Sequence, residues 1–470
     1  MCFSVIAGRK TTLSGAVLAG ANDDWPGCPG HTHFKKHAFH TENERFLTVK
    51  GAEIAQAAET YAYTYTACAY ETGTRPISWA DGMNENQVSV GMVGVYEFRN
   101  CQTEKDLLEA DDITLLLLER GTTARQAIET VGALIEEHGF TVSSIDGAAG
   151  TVCIAVADPQ EGFFLELVPG GHWVAKRVAD DEVECRPNCF GTQEIDFSDT
   201  ENFLCSPRLR SYALENGLWQ EGEAFNFSKI YGAGPRVNDT YGGAGQPVNQ
   251  MRRWDCLHTL CGVDTGINAT VYCAKPLRKL AAGDIMRAFT STLEGTPYDL
   301  SLSPEAGMYH NPLWMTTSTS VGQGGTVVSM VYDFRPDASP ASGCMWVACS
   351  AAKLSVYVPV FTASEGLPEE YGRGECGEYD LRSAWWAFQE VGELCYRRYE
   401  EIAGNLVRPA YNEMQREFLE KREALYARCA SAAEVLEFSH FAAEAAYNKA
   451  IMLGKYIKGK YLCNTVLSWL

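Results

Sequence analysis

Cysteine at position 2 is where the types and spacing of residues first suggest chemistry. If Met1 is removed, Cys2 carries both a thiol and an α-amine, with reference pKa values of about 8.5 and about 8. A neutral amine a few ångströms from the sulfur could take its proton near neutral pH, so a single residue would hold nucleophile and base together. The run Ala21-Asn22-Asp23-Asp24-Trp25 follows a short strand and turn later. The competing reading is a cysteine that merely falls at position 2, and the rest of the chain has to decide between the two.

Such a nucleophile needs a rigid support. Phe3 to Ala7 and Ala16 to Gly20 are apolar runs around the polar turn Arg9 to Ser14, which predicts a β-hairpin holding Cys2 against a sheet. Trp25 to Gly30 breaks regular structure, and His31, His33, His37 and His40 read as a solvated loop or pocket rim rather than a metal site, because their spacing suits no single helical face. Tyr61 to Thr66 and Val88 to Tyr96 read as strands on either side of a turn-like Asp81 to Asn86. Asp111 to Arg120 and Thr123 to His138 read as amphipathic helices. Gly150 to Ala157, Phe163 to Val168 and His172 to Val178 form a meander.

Ser198 to Gln250 is loop-rich and suggests a lid. Its glycine clusters, Tyr231 to Pro235 and Tyr241 to Gly245, lack the Lys-Ser/Thr pair of a phosphate loop. Strands return at Gly325 to Tyr332, Cys344 to Ala348 and Leu354 to Phe361. Long amphipathic helices follow over Leu381 to Ala403, Ala410 to Ala430 and Ala432 to Met452. Strands with helices inserted as blocks favour an α+β layered architecture. The division expected is a main domain over 1–378, including the loop-rich insertion around 198–250, and a C-terminal helical extension over 379–470. Trp385, Trp386 and Phe388 read first as core and otherwise as a contact for substrate or for a second copy in a homo-oligomer.

The 470 residues are 46% hydrophobic, enough for a large core. With 39 basic against 60 acidic residues the formal charge is −21, which repels phosphate backbones and anionic membrane surfaces and excludes nucleic acid as the expected partner. The 17 cysteines, an odd number in a long chain, fit reduced thiols in a cytoplasm. No secretory signal is expected, since Arg9 and Lys10 follow the apolar run instead of preceding it, and no run approaches the roughly 20 apolar residues of a membrane span. Cys185 and Cys189 have no second ligand pair at a zinc spacing, so neither metal nor cofactor is expected.

Taken in order, several of these segments together resemble the C69 dipeptidases of the N-terminal nucleophile hydrolase superfamily, with choloylglycine hydrolases and penicillin V acylases as more distant relatives. The resemblance rests on Cys2, on Ser14-Gly15 leading into Asn22-Asp23-Asp24, and on Asp81-Gly82-Met83-Asn84-Glu85. It continues through Trp173 to Val178 with Pro187-Asn188, through Glu294 to Asp299, and through Tyr357-Val358-Pro359 with Ser383 to Trp386.

It implies an αββα sandwich of two antiparallel sheets between helical layers, and a cysteine peptidase that hydrolyses short peptides through an acyl-enzyme. Cys2 matches the nucleophile and its α-amine the base. Asp24 matches the carboxylate that orients them, Asn188 the side-chain amide of the oxyanion hole, and Arg252 or Arg253 a basic residue near the nucleophile. Read from the residues alone, Asp24 is also an exposed turn aspartate, Asn188 a turn residue after Pro187, and the arginines a solvated pair. One position departs from the family, whose usual arginine before the Asn-x-Asp run is Ala21 here. Its loss should leave the thiol pKa higher unless another cation substitutes. The alternatives are an acylase for N-acyl amino acids or bile-salt-like amides and a non-catalytic binding or scaffold protein.

Overall fold

The strand Phe3–Ala7 lies inside a seven-stranded antiparallel sheet of the computed structural model, paired on one side with Leu18–Asp24 and on the other with Val183–Arg186. The structure describes residues 2–24, 28–68, 78–101, 105–141, 143–145, 148–232, 247–267, 271–313 and 319–462. Beyond Leu18–Asp24 the sheet continues through Thr326–Asp333, Cys344–Cys349 and Val358–Phe361, and beyond Val183–Arg186 it ends at Cys273–Ala274. All five residues of Phe3–Ala7 are buried, as a strand covered on both faces requires.

A second antiparallel sheet, of nine strands, faces the first. It runs Phe203–Cys205, His172–Arg177, Gly162–Val168, Ala148–Ala157, Ser89–Val95, Ser78–Asn84, Tyr63–Cys68 and Gly30–Lys35, with Ser143–Ile145 paired to Ala148–Ala157 off this path. The sheets approach closely through small residues. A Cβ on Gly91 would come within 2.8 Å of the Ala21 methyl, and one on Gly162 within 2.7 Å of Ile6.

Helices Ala110–Arg120 and Ala124–His138 cover the outer face of the nine-stranded sheet, burying Ile113, Leu117, Ile128 and Val131 against Val90, Ile154 and Leu165. Thr123 caps the second of them by accepting from the Gln126 N–H, a contact worth about 1 kcal/mol. Pro247–Cys261 and Ala282–Phe289 cover the seven-stranded sheet near Cys2, with Phe3 edge-on to Phe289 at 6.5 Å. Ala384–Cys395 and Ala432–Ile457 pack on Cys344–Cys349 and Val358–Phe361 and share their hydrophobic core. Helix, sheet, sheet, helix is therefore the layer order, the αββα sandwich that the resemblance implies. Among the described residues no helix is long and apolar enough to cross a membrane.

Several local readings change. Asn22, Asp23 and Asp24 are the end of a buried strand, because Thr326–Asp333 pairs along their full length. Asp81 belongs to the strand Ser78–Asn84, and the turn begins only after it. His31 and His33 lie on the edge strand Gly30–Lys35 rather than in a loop. His37 sits between Glu85 at 2.6 Å and Glu59 at 3.1 Å, and His40 is bonded to Glu44. The loop-rich stretch after Ser198 contains helices Leu209–Glu215, Phe227–Tyr231 and the start of Pro247–Cys261. Most of both glycine clusters lies outside the described residues, as does Trp25. Cys28 is joined to Cys376 in a disulfide with Cα atoms 4.8 Å apart, against the expectation of uniformly reduced thiols.

Candidate active site

The strand register sets the first contact. Phe3 faces Asn22, so the next pair outward sets Cys2 beside Asp23. The thiol of Cys2, 8% exposed, points at Asp23 Oδ1 from 3.6 Å. From the opposite sheet, Cys68 at the end of Tyr63–Cys68 reaches Asp23 Oδ2, also at 3.6 Å. Asp81, buried in that sheet, takes the Met92 N–H at 3.0 Å on each of its oxygens.

Crowding carboxylates in a dry space moves every titration in one direction. Burial, and after it the negative charge of Asp24, raises Asp23 to about 6. Burial and then Asp23 raise Asp81 well above the usual carboxylate range. The Cys2 thiol is pushed up to about 12, by burial first and by Asp23 second, while the positive charge of the chain terminus and, less, a backbone hydrogen bond from Asp24 pull it the other way. Cys68 is raised by the same burial and the same carboxylate. A region of this charge favours a bound cation, and an ammonium at Cys2 would be one.

Asp24 follows Asp23 at the end of the same buried strand. Its Oδ1 accepts from Thr326 Oγ1 at 2.6 Å, and its charge is coupled to Arg252, although burial still leaves it above its ordinary value. Arg252 projects from Pro247–Cys261 and is completely buried. It donates to the Cys2 carbonyl at 2.9 Å, to Asn188 Oδ1 at 2.8 Å and to Asn249 Oδ1 at 2.6 Å. Asn188, also fully buried, spends one amide N–H on the Gly94 carbonyl at 2.8 Å. Its amide nitrogen carries a second hydrogen, the one an oxyanion role requires.

The two candidate arginines therefore part company. Arg253 leans on the Tyr272 ring at 4.3 Å and donates to Cys189 Sγ at 3.4 Å, whereas Arg252 reaches the Cys2 carbonyl. Arg252 also bears on Ala21, the position where the resemblance implies an arginine. Ala21 is fully buried with its methyl against Gly91, so a long side chain there has no room between the sheets. Arg252 is the buried cation that couples to Asp24 and Cys2. Cys2, Asp24, Asn188 and Arg252 thus lie in one neighbourhood, and neither Asn188 nor either arginine is a solvated surface residue.

Asp23 and Cys68 are the neighbours that sequence reasoning passed over. The signal for Asp23 was present in the hairpin register, since residues opposite each other in neighbouring strands share a face. Nothing local marked Cys68, which arrives from the other sheet. Among the described residues no group of three or more His, Cys, Asp or Glu side chains could hold a metal ion, and Cys189 is engaged by Arg253 instead.

Residues 1–412 match the family described as Peptidase family C69. The chain is similar to "Probable dipeptidase B" of Lactococcus lactis subsp. lactis (strain IL1403), 25% identical over 422 residues that cover 85% of this chain and 82% of that one. It is similar to "Probable dipeptidase A" of Streptococcus pyogenes serotype M18, 24% identical over 79% of this chain and 76% of that one. "Dipeptidase A" of Lactobacillus helveticus is 22% identical over 85% and 84%. Among solved structures, a variant of conjugated bile acid hydrolase from Clostridium perfringens matches 77% of this chain and 92% of its own at 9% identity, with a TM-score of 0.33.

Proposed function

This chain belongs to peptidase family C69, a family of peptide hydrolases, and from that premise we propose that it cleaves the amide bond of short peptides with Cys2, freed by loss of Met1, as nucleophile. The observation that carries this reading is the fork of Arg252, which holds the Cys2 carbonyl and the Asn188 side chain at 2.9 and 2.8 Å. One guanidinium fixes the distance between nucleophile and oxyanion donor, the preorganisation that acyl transfer needs.

The steps follow from the groups present. The α-amine takes the proton of the Cys2 thiol as the sulfur attacks the scissile carbonyl carbon, forming the carbon–sulfur bond. The carbonyl oxygen becomes an oxyanion and accepts from Asn188 Nδ2. Asp23 and Asp24 face the ammonium so formed and stabilise it, which matters because burial and Asp23 disfavour the thiolate and a cation beside the sulfur offsets them. Collapse breaks the carbon–nitrogen bond, and the ammonium returns its proton to the leaving amine. Water, activated by the same amine, then releases the acyl group and restores the thiol.

Intact mass after purification and a panel of free dipeptides and N-acylated amino acids test the reading. Loss of Met1, turnover of free dipeptides, and abolition of that turnover by Cys2→Ala are the expected results. Turnover undiminished in Cys2→Ala, or an active protein that retains Met1, overturns it. Hydrolysis confined to the acylated panel replaces the dipeptidase by an acylase at the same nucleophile.

A further inference from the structure

The turn carrying Asn188 is held from beneath by a charged pair that no step of the reaction uses. Glu166, on Gly162–Val168, and Arg186, at the end of Val183–Arg186, are both completely buried and meet across the gap between the sheets at 2.9 Å. Arg186 is anchored a second time by Glu184 at 2.7 Å, itself bonded to Lys176 at 2.7 Å, and its guanidinium carbon lies 4.3 Å from the Phe164 ring centre. The Glu166 carboxylate also takes the backbone N–H of Gly191 at 2.7 Å and of Thr192 at 3.1 Å. The turn closes tightly over the pair, since a Cβ on Gly191 would lie 2.5 Å from the Arg186 guanidinium carbon.

We propose that Glu166 and Arg186 are positioning residues for Asn188: their ion pair clamps the 187–192 turn to both sheets, so the amide meets the oxyanion already oriented. Asn188 is bonded to Gly94 of the nine-stranded sheet and to Arg252 over the seven-stranded one. Its turn therefore has to keep register with both sheets, and Glu166–Arg186 is the link that spans them directly beneath it. Arg186 is paired in register with Ser4, two residues from Cys2, so the same clamp references the donor to the nucleophile's own strand. Burying two charges is costly unless geometry is the return. The proposal rests on the reading of Asn188 as oxyanion donor.

A double-mutant cycle in the full-length, processed enzyme tests it, with dipeptide turnover and Cys2 alkylation by iodoacetamide as readouts. Alkylation needs the sulfur but no oxyanion donor. Glu166→Gln is expected to lower kcat about tenfold or more, with KM and the alkylation rate within about twofold of wild type. Adding Glu166→Gln to Asn188→Ala is expected to cost almost nothing further. Should Glu166→Gln not fold, Glu166→Asp keeps the charge while shortening its reach, and the same pattern is expected. Wild-type kcat in a folded Glu166 variant, full additivity with Asn188→Ala, or an alkylation rate that falls in step with kcat overturns the clamp alone. An Asn188→Ala enzyme with wild-type kcat overturns both the clamp and the oxyanion reading beneath it.

Discussion

Asp23 accepts from two thiols at once, Cys2 on Oδ1 and Cys68 on Oδ2, each at 3.6 Å and each from a different sheet. The carboxylate is the nearest negative charge to the nucleophile, and it raises the thiol pKa as well as orienting the thiol.

Asp23→Asn keeps the shape and removes the charge. The thiol should then ionise at lower pH, and the pH profile of iodoacetamide alkylation should move to the acid side of wild type. Turnover should fall about tenfold or more in the same variant, since the ammonium formed during attack loses one of the two carboxylates proposed to face it. An alkylation profile that stays in place would remove Asp23 from the account of the thiol.

Asn188→Ala should lower kcat about 100-fold with KM little changed, the behaviour of a donor used only in the transition state. Steady-state kinetics on a free dipeptide checks this.

Arg252→Lys retains the charge and loses the fork. A lysine can hold the Cys2 carbonyl or Asn188 but not both in their present places, so kcat should fall while the protein still folds. Arg252→Met removes the cation from beside Asp24 and should cost about 3–5 kcal/mol of stability by urea denaturation, as breaking a buried charge interaction does.

Stability should rise as the pH falls through about 6. Asp23 and Asp255 are both held near about 6, chiefly by burial, whereas in the unfolded chain they titrate near about 4. The folded protein thus binds protons that the unfolded chain does not, and each carboxyl adds at most about 3 kcal/mol, complete near about pH 4. Asp333 works in the opposite sense. Against its burial, Arg422 and Arg335 hold it below the usual carboxylate range, so its contribution is present above about pH 4 and is lost as the pH falls further. Urea midpoints across pH 3 to 8 should show a maximum on the acid side of neutrality, and Asp23→Asn should flatten the limb between about pH 7 and 4.

The layers of the fold were legible because the periodicities were strong. The stripe Ala127, Ile128, Val131 and Ile135 forms the buried side of Ala124–His138, and the meander from residue 148 to 177 follows its alternation. The competing reading of Asp24 as an exposed turn aspartate fails, although acidic residues in sequence ordinarily signal solvent, because Asp23 and Asp24 end a buried strand. Only pairing with a strand some 300 residues away buries them. Choosing between Arg252 and Arg253 needed the orientation of Pro247–Cys261, since consecutive residues on a helix point about 100° apart and only one can face the sheet. The glutamate and arginine under the Asn188 turn carried no motif at all, since each looks like an ordinary charged residue until the two sheets bring them together.

The Cys28–Cys376 bond joins residues 348 apart, so most of the chain forms a covalent ring. Asn188 and Arg252 lie on the ring, while Cys2 and Asp24 lie on the short tail that precedes it. A protease that cuts once in the exposed stretch near Glu215 to Glu223 would therefore leave a single molecule until a reductant was added. On a gel without reductant, such a nicked enzyme would run as one species.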